Sequence, residues 1–283
     1  MSEIKVCIDR SDTFNNNLFG LYNSYKERES NIISENYKRI IGSDFLTEQI
    51  LIDSKKQSNF DKLYYANNDS KKKLLELAMQ TTKLWANGKK LKVKFLDGTT
   101  YLKNNVIQYA KQWEQFANIE FEFTSSSDAE IRVSFMTGQG SWSYIGTDAL
   151  NIVDQSEPTM NFGWFDNTTS AIEFSRTVTH EFGHCLGCIH EHQSPAANIN
   201  WNKKEVYDYY RNTQTPPWDK DTVDKNIFEK YTSGEISNNV FDPNSIMLYP
   251  ILENFTIDGF SVGMNNTLSL HDKQFIANLY PKS

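Results

Sequence analysis

Apolar residues alternate at Leu91, Val93 and Phe95, the two-residue period of a half-buried strand. Val106, Ala110, Trp113 and Ala117 then recur at helical spacing. Alternation returns at Ile119, Phe121 and Phe123, and again at Ile131, Val133 and Phe135. Strand, helix, strand, strand predicts an α/β beginning. "GSWSYIGTDAL" (140–150) and "PTMNFGW" (158–164) read as further strands bounded by glycine and proline. The stretch from about Ser170 to Leu186 predicts a helix. Ser269 and Asp272 have the spacing of a capping box, opening a last helix that carries Phe275, Ile276 and Leu279.

The chain changes character near residue 85. All six tryptophans fall at Trp85 or later, and all seven prolines at Pro158 or later. Through residue 85 there are 13 basic and 12 acidic side chains; the rest has 16 and 24 and so carries the net charge of −7. This divides the chain into a polar, helical N-terminal region (1–83) and a mixed α/β region (84–283). The acidic balance argues against a nucleic-acid partner, because phosphate binding wants basic surface. No apolar run approaches the ~18 residues of a membrane span, so no transmembrane segment is expected. The opening "MSEIKVCIDRSDTF" lacks a signal-peptide core. Cys7, Cys185 and Cys188 are odd in number and have no framework spacing.

Four of the five histidines, His180, His184, His190 and His192, crowd into residues 180–192. Histidine is both a neutral metal ligand and a base near neutral pH. His180 and His184 are four apart on the predicted helix, so both imidazoles leave one face and reach one zinc ion at ~2.0–2.1 Å. Glu181 lies between them, where a carboxylate takes a proton from a metal-bound water. Gly187 can adopt positive φ, end the helix and turn the chain back. That lets His190 approach the same metal. Five fixed positions co-occur by chance on the order of once per 10⁵ sequences, so ordinary surface or core histidines are a poor account of the pattern.

His-Glu-x-x-His-x-x-Gly-x-x-His is the signature of metzincin zinc endopeptidases, which the chain resembles. A methionine turn, "SIMLYP" with Met247, follows where those proteins have one. Tyr249 two residues after Met247, and Glu191 directly after the third histidine, resemble astacins. "LWANGKKLKVKF", "GSWSYIGTDA", "PTMNFGW" and "HEHQSP" are similar to bacterial members of that family. The resemblance covers about residues 84–283. It implies an α/β (α+β, metzincin-like) fold: a twisted mixed sheet with two long helices, an active-site helix, then a mostly irregular C-terminal subdomain with a last helix. It divides the catalytic domain into an upper part (84–187) and a lower part (188–283), after a propeptide (1–83). The cofactor is Zn2+, and the reaction is peptide-bond hydrolysis by a secreted enzyme made as a zymogen. Tyr249 is implied as a fifth zinc ligand that swings away to bond the oxyanion; Met247 floors the metal as an apolar, structural residue. A new amino terminus is implied to fold toward Glu191 after cleavage between Asn67 and Leu84.

The resemblance puts the sheet's edge strand at 140–150, where an extended polypeptide substrate can join as an added strand. The chain is read as a monomer, with its own N-terminal region as inhibitor. Animal astacins have paired cysteines that are missing here, and their Phe-x-Gly-Asp propeptide motif has no match; "FGL" at 19–21 lacks the aspartate. Cys7 is the one thiol outside the active helix, and a thiolate is a strong zinc ligand that would displace the water. Asp9 and Asp12 are carboxylate alternatives. Cys185 and Cys188 read as small buried hydrophobes, and His192 and His271 as non-ligands. Two other functions stay open: an effector protease with one host target, and a non-catalytic zinc module. Against the module, a closed structural site uses four protein ligands.

Overall fold

The computed structural model describes residues 5, 7–10, 83–214, 216–231 and 240–282. Among the described residues six strands form one mixed sheet: β1 (Cys7–Arg10), β2 (Lys90–Phe95), β3 (Glu120–Phe123), β4 (Ile131–Ser134), β5 (Ser141–Tyr144) and β6 (Met160–Phe162). Their order across the sheet is β1-β5-β6-β4-β2-β3. β5 and β6 pair antiparallel, and every other pair is parallel. The alternating residues fall as predicted, with Leu91, Val93, Phe121, Ile131 and Val133 buried. β4 is buried on both faces. Its Arg132 is nonetheless satisfied, donating to the carbonyls of Glu157, Ala129 and Ile152 at 2.7, 2.9 and 2.7 Å.

Helix α1 (Thr100–Ala110) starts at Thr99, whose hydroxyl accepts from Leu102 N, and buries Leu102, Val106 and Ala110. The helical spacing predicted through Ala117 outlasts the α-helix. A 3₁₀ turn (Trp113–Gln115) replaces its end and keeps Trp113 and Ala117 in the core. Helix α2 (Ala171–Cys185) lies where predicted, capped by the Ser170 hydroxyl on Glu173 N. Phe182 meets Phe121 edge-on at 4.9 Å, fastening α2 to the sheet. In 140–150 only β5 is strand; Gly146–Asn151 is a 3₁₀ turn.

The later half of the chain holds α3 (Lys203–Thr213), the short α4 (Lys220–Val223) and α5 (Leu270–Leu279) among loops. α3 has no counterpart in the predicted elements, because only Val206 and Tyr210 of it are buried. The Ser269/Asp272 capping box of α5 is present in both directions. One core unites the sheet, α1, α2 and the α5 end (Ile276, Tyr280); a second gathers Val206, Tyr210, Trp218, Leu248, Tyr249 and Cys7. The described piece of the N-terminal region, β1, is a strand rather than a helix. The rest of that region, including Asp12, Lys71–Lys73 and most of the expected cleavage segment, lies outside the described residues. No helix among the described residues is long and apolar enough to cross a membrane.

Candidate metal centre

α2 ends in two hydrogen bonds that turn the chain. Gly187 N donates to His184 O at 2.8 Å, and Cys188 N to Gly183 O at 3.0 Å, with Gly187 at φ +95. This is a Schellman end, which needs a left-handed residue after the cap. The positive φ is what calls for glycine at 187; a Cβ there would stand 2.8 Å from Leu84 Cδ2, the end of a side chain that can turn aside. The turn carries His190 back under the helix.

There the Nε2 atoms of His180, His184 and His190 converge, 3.1 to 3.2 Å apart. All three rings are buried. His180 Nδ1 lies 2.7 Å from Ile246 O, and His184 Nδ1 lies 2.9 Å from Cys188 O. A carbonyl only accepts, so each Nδ1 carries its proton and each Nε2 presents a lone pair. Lone pairs that face one another at this distance repel unless a cation lies between them. Tetrahedral zinc held at ~2.0–2.1 Å needs nitrogens roughly 3.3–3.4 Å apart, so the donor set fits zinc. Burial, and then the neighbouring His184 and His190, push the pKa of His180 well below its ordinary value and keep the ring neutral, as a ligand must be.

Glu181 is fully buried on the same helix. A carboxylate oxygen of Glu181, a ring nitrogen of His180 and Cys7 Sγ all lie within 4.8 Å of one another. Burial pushes the Cys7 thiol well above its usual pKa, and the Glu181 charge adds to the rise. β1 brings Cys7 here by pairing parallel with β5, in the register Cys7 to Ser141 and Arg10 to Tyr144. The sheet edge expected to take substrate is thus covered by residues 7–10 of the chain itself.

Met247 packs its sulfur against Gly183, where a Cβ would approach it to 2.4 Å. The methionine turn is held from α5, as Asp272 accepts from Ser245 Oγ at 2.7 Å and from Ile246 N at 2.8 Å. Ile246 O is the carbonyl that orients His180, so Asp272 acts on the site through the backbone of one residue. The sequence marks Asp272 only as a helix cap; its second role depends on a contact 26 residues away and has no local signal. Tyr249 lays its ring against His190, with centroids 4.2 Å apart. Glu191 accepts from Asp242 N at 2.8 Å, and burial lifts its pKa to about 7.

His192 turns Nε2 to Asn226 O at 2.9 Å and stacks on His190, so it supports the cluster from outside the three converging nitrogens. His271 sits on α5 beside Phe275. Cys185 and Cys188 are buried thiols whose pKa is raised by burial, as expected of small hydrophobes.

The sequence family Astacin, a family of peptidases, matches residues 77–279. Blastula protease 10 of Paracentrotus lividus is 31% identical over 144 residues, and protein SpAN of Strongylocentrotus purpuratus 30% over 144. Each match takes in 48% of this chain, which spans only 20% of the length of either relative. The structure of myroilysin superposes with a TM-score of 0.69 at 50% identity, covering 71% of this chain and 97% of that one. High choriolytic enzyme 1, a hatching-enzyme zinc-protease of Oryzias latipes, shares the fold at 15% identity, with a TM-score of 0.50 over 72% of this chain and 96% of its own.

Proposed function

The chain belongs to the astacin family of peptidases, and from that premise we propose that it is a zinc endopeptidase that cuts polypeptides and is made in latent form. The observation that carries this reading is the convergence of three Nε2 atoms beside the buried carboxylate of Glu181. His180, His184 and His190 hold the metal. When bound, zinc acts as a Lewis acid and lowers the pKa of a water from ~15.7 toward ~7.

Glu181 Oε takes the proton of the attacking water and later gives it to the leaving amine. Its burial keeps bulk water from competing for that proton. Tyr249 would serve as a further ligand at rest, and its hydroxyl would donate to the oxyanion. Met247 and Gly187 shape the site without touching the reacting atoms, and Glu191 receives the new amino terminus after maturation.

Residues 1–83 form the pro-region, 84–187 the upper and 188–283 the lower part of the catalytic domain. The pro-region inhibits twice over. β1 fills the strand position that an extended substrate would take, and Cys7 would ligate the metal in place of water. The proximity of Cys7 Sγ to His180 and Glu181 supports Cys7 in that role. The enzyme acts as a secreted monomer.

Glu181→Gln tests the reading. An amide cannot accept the proton, so the matured variant should retain stoichiometric zinc and the wild-type fold while casein hydrolysis falls by ~10²–10⁴-fold. Wild-type hydrolysis by that variant, or wild-type hydrolysis in excess chelator, would overturn it.

A further inference from the structure

Beside the metal centre, between the β6–α2 loop and α2, lies a cleft of about 410 Å3 lined by Trp164, Asp166, Glu173, Arg176 and Met264. Lys5 of the chain's own N-terminal segment projects into it, with Nζ 5.9 Å from the centre of the Trp164 ring. Arg176 does not compete for an anion. Its guanidinium is committed to Glu173, with NH2 to Oε1 at 2.6 Å and Nε to Oε2 at 3.3 Å. Glu173 is further fixed by Trp164 Nε1 at 2.8 Å, which turns the indole face toward the cleft. Burial opposes ionisation of Glu173, but the hydrogen bond and charge of Arg176 outweigh it and hold the carboxyl below its ordinary pKa. Hydrogen bonds from Thr168 do the same for Asp166. Without Lys5 the cleft holds two carboxylates and one cation on its walls, with an aromatic face open.

We propose that this cleft is a specificity subsite for a lysine or arginine side chain of the polypeptide substrate, two residues from the bond being cut. Lys5 occupies it as a stand-in for that side chain. The distance follows from the chain: Lys5 is two residues from Cys7, whose sulfur lies at the metal centre. The subsite rests on the peptidase reading above. It combines a cation held over an indole with a net negative wall, and each of these contributes modestly in a solvent-exposed groove.

The matured enzyme is to be assayed on fluorogenic peptides in which Lys, Ala or Glu is scanned through three positions on either side of the scissile bond. Lysine should exceed glutamate by about tenfold in kcat/KM at one position two residues from that bond. Asp166→Asn should cut the Lys-to-Glu ratio to about two- or threefold. Cleaved peptides with no such ratio at any position would overturn the subsite while leaving the peptidase reading intact; no cleavage of any peptide would overturn the peptidase reading. The second arm decides the subsite in either case, using the full chain. Lys5→Glu should raise the rate at which maleimide labels Cys7, read by mass spectrometry of the labelled peptide, by about tenfold. An unchanged labelling rate means that the cleft does not select for a cation.

Discussion

Tyr249 touches three of the buried imidazoles, with ring centroids 4.2 Å from His190, 4.7 Å from His192 and 6.1 Å from His180. Tyr249→Phe keeps all of that ring packing and removes only the hydroxyl. The matured variant should therefore hold zinc and fold as before while kcat drops by about 10²–10³-fold, the usual cost of one oxyanion donor. Steady-state kinetics with metal analysis checks it; an unchanged kcat would reduce Tyr249 to a packing residue. The three histidines, Glu181 and Gly187 were legible because their geometry is local: four residues make one helical turn, and a glycine permits one reversal. Asp272 and the cation-accepting cleft were not. They depend on which loops meet in space, and sequence spacing carries no such information.

At the scale of the element, the end of α2 sets the position of His190. Gly187→Ala forces a Cβ into a backbone at φ +95 and to within 2.8 Å of Leu84 Cδ2. The strain of a left-handed residue alone costs about 1–2 kcal/mol. Such a variant should melt several degrees lower and bind zinc more weakly than wild type, measured by calorimetry and by competition with a chromophoric chelator. Asp272 at the N-terminus of α5 should behave differently. Asp272→Ala strips the partners of both Ser245 Oγ and Ile246 N, so the methionine turn loosens and zinc affinity falls by about 10–100-fold, as for other groups that orient a ligand at one remove. Strands β2, β3 and β4 and helix α2 could be read from period alone. β1 could not, since four residues without their partner strand have no readable pattern, and α3 hides because its buried stripe is only Val206 and Tyr210.

The described residues gather into two apolar cores that meet at the metal centre, Met247 belonging to one and Tyr249 to the other. A metal that ties α2 to the methionine turn should therefore stabilise the entire fold. With free zinc a thousandfold above its Kd, chelation should lower Tm by roughly 8–16 °C. On the proposed inhibition, Cys7→Ala leaves β1 paired but removes the ligand that blocks the metal, so the uncut chain should gain peptidase activity. A variant as latent as wild type, at full zinc, would remove Cys7 from the inhibitory mechanism. In the latent form proposed above, residues 11–82 join β1 to Lys83, so inhibitor and enzyme are a single molecule. Before the chain is cut, inhibition is unimolecular and no dilution relieves it; afterwards it becomes an ordinary association between two solutes. A freshly nicked sample should therefore stay quiet when concentrated and gain specific activity on dilution, so that cutting arms the enzyme and dispersal releases it.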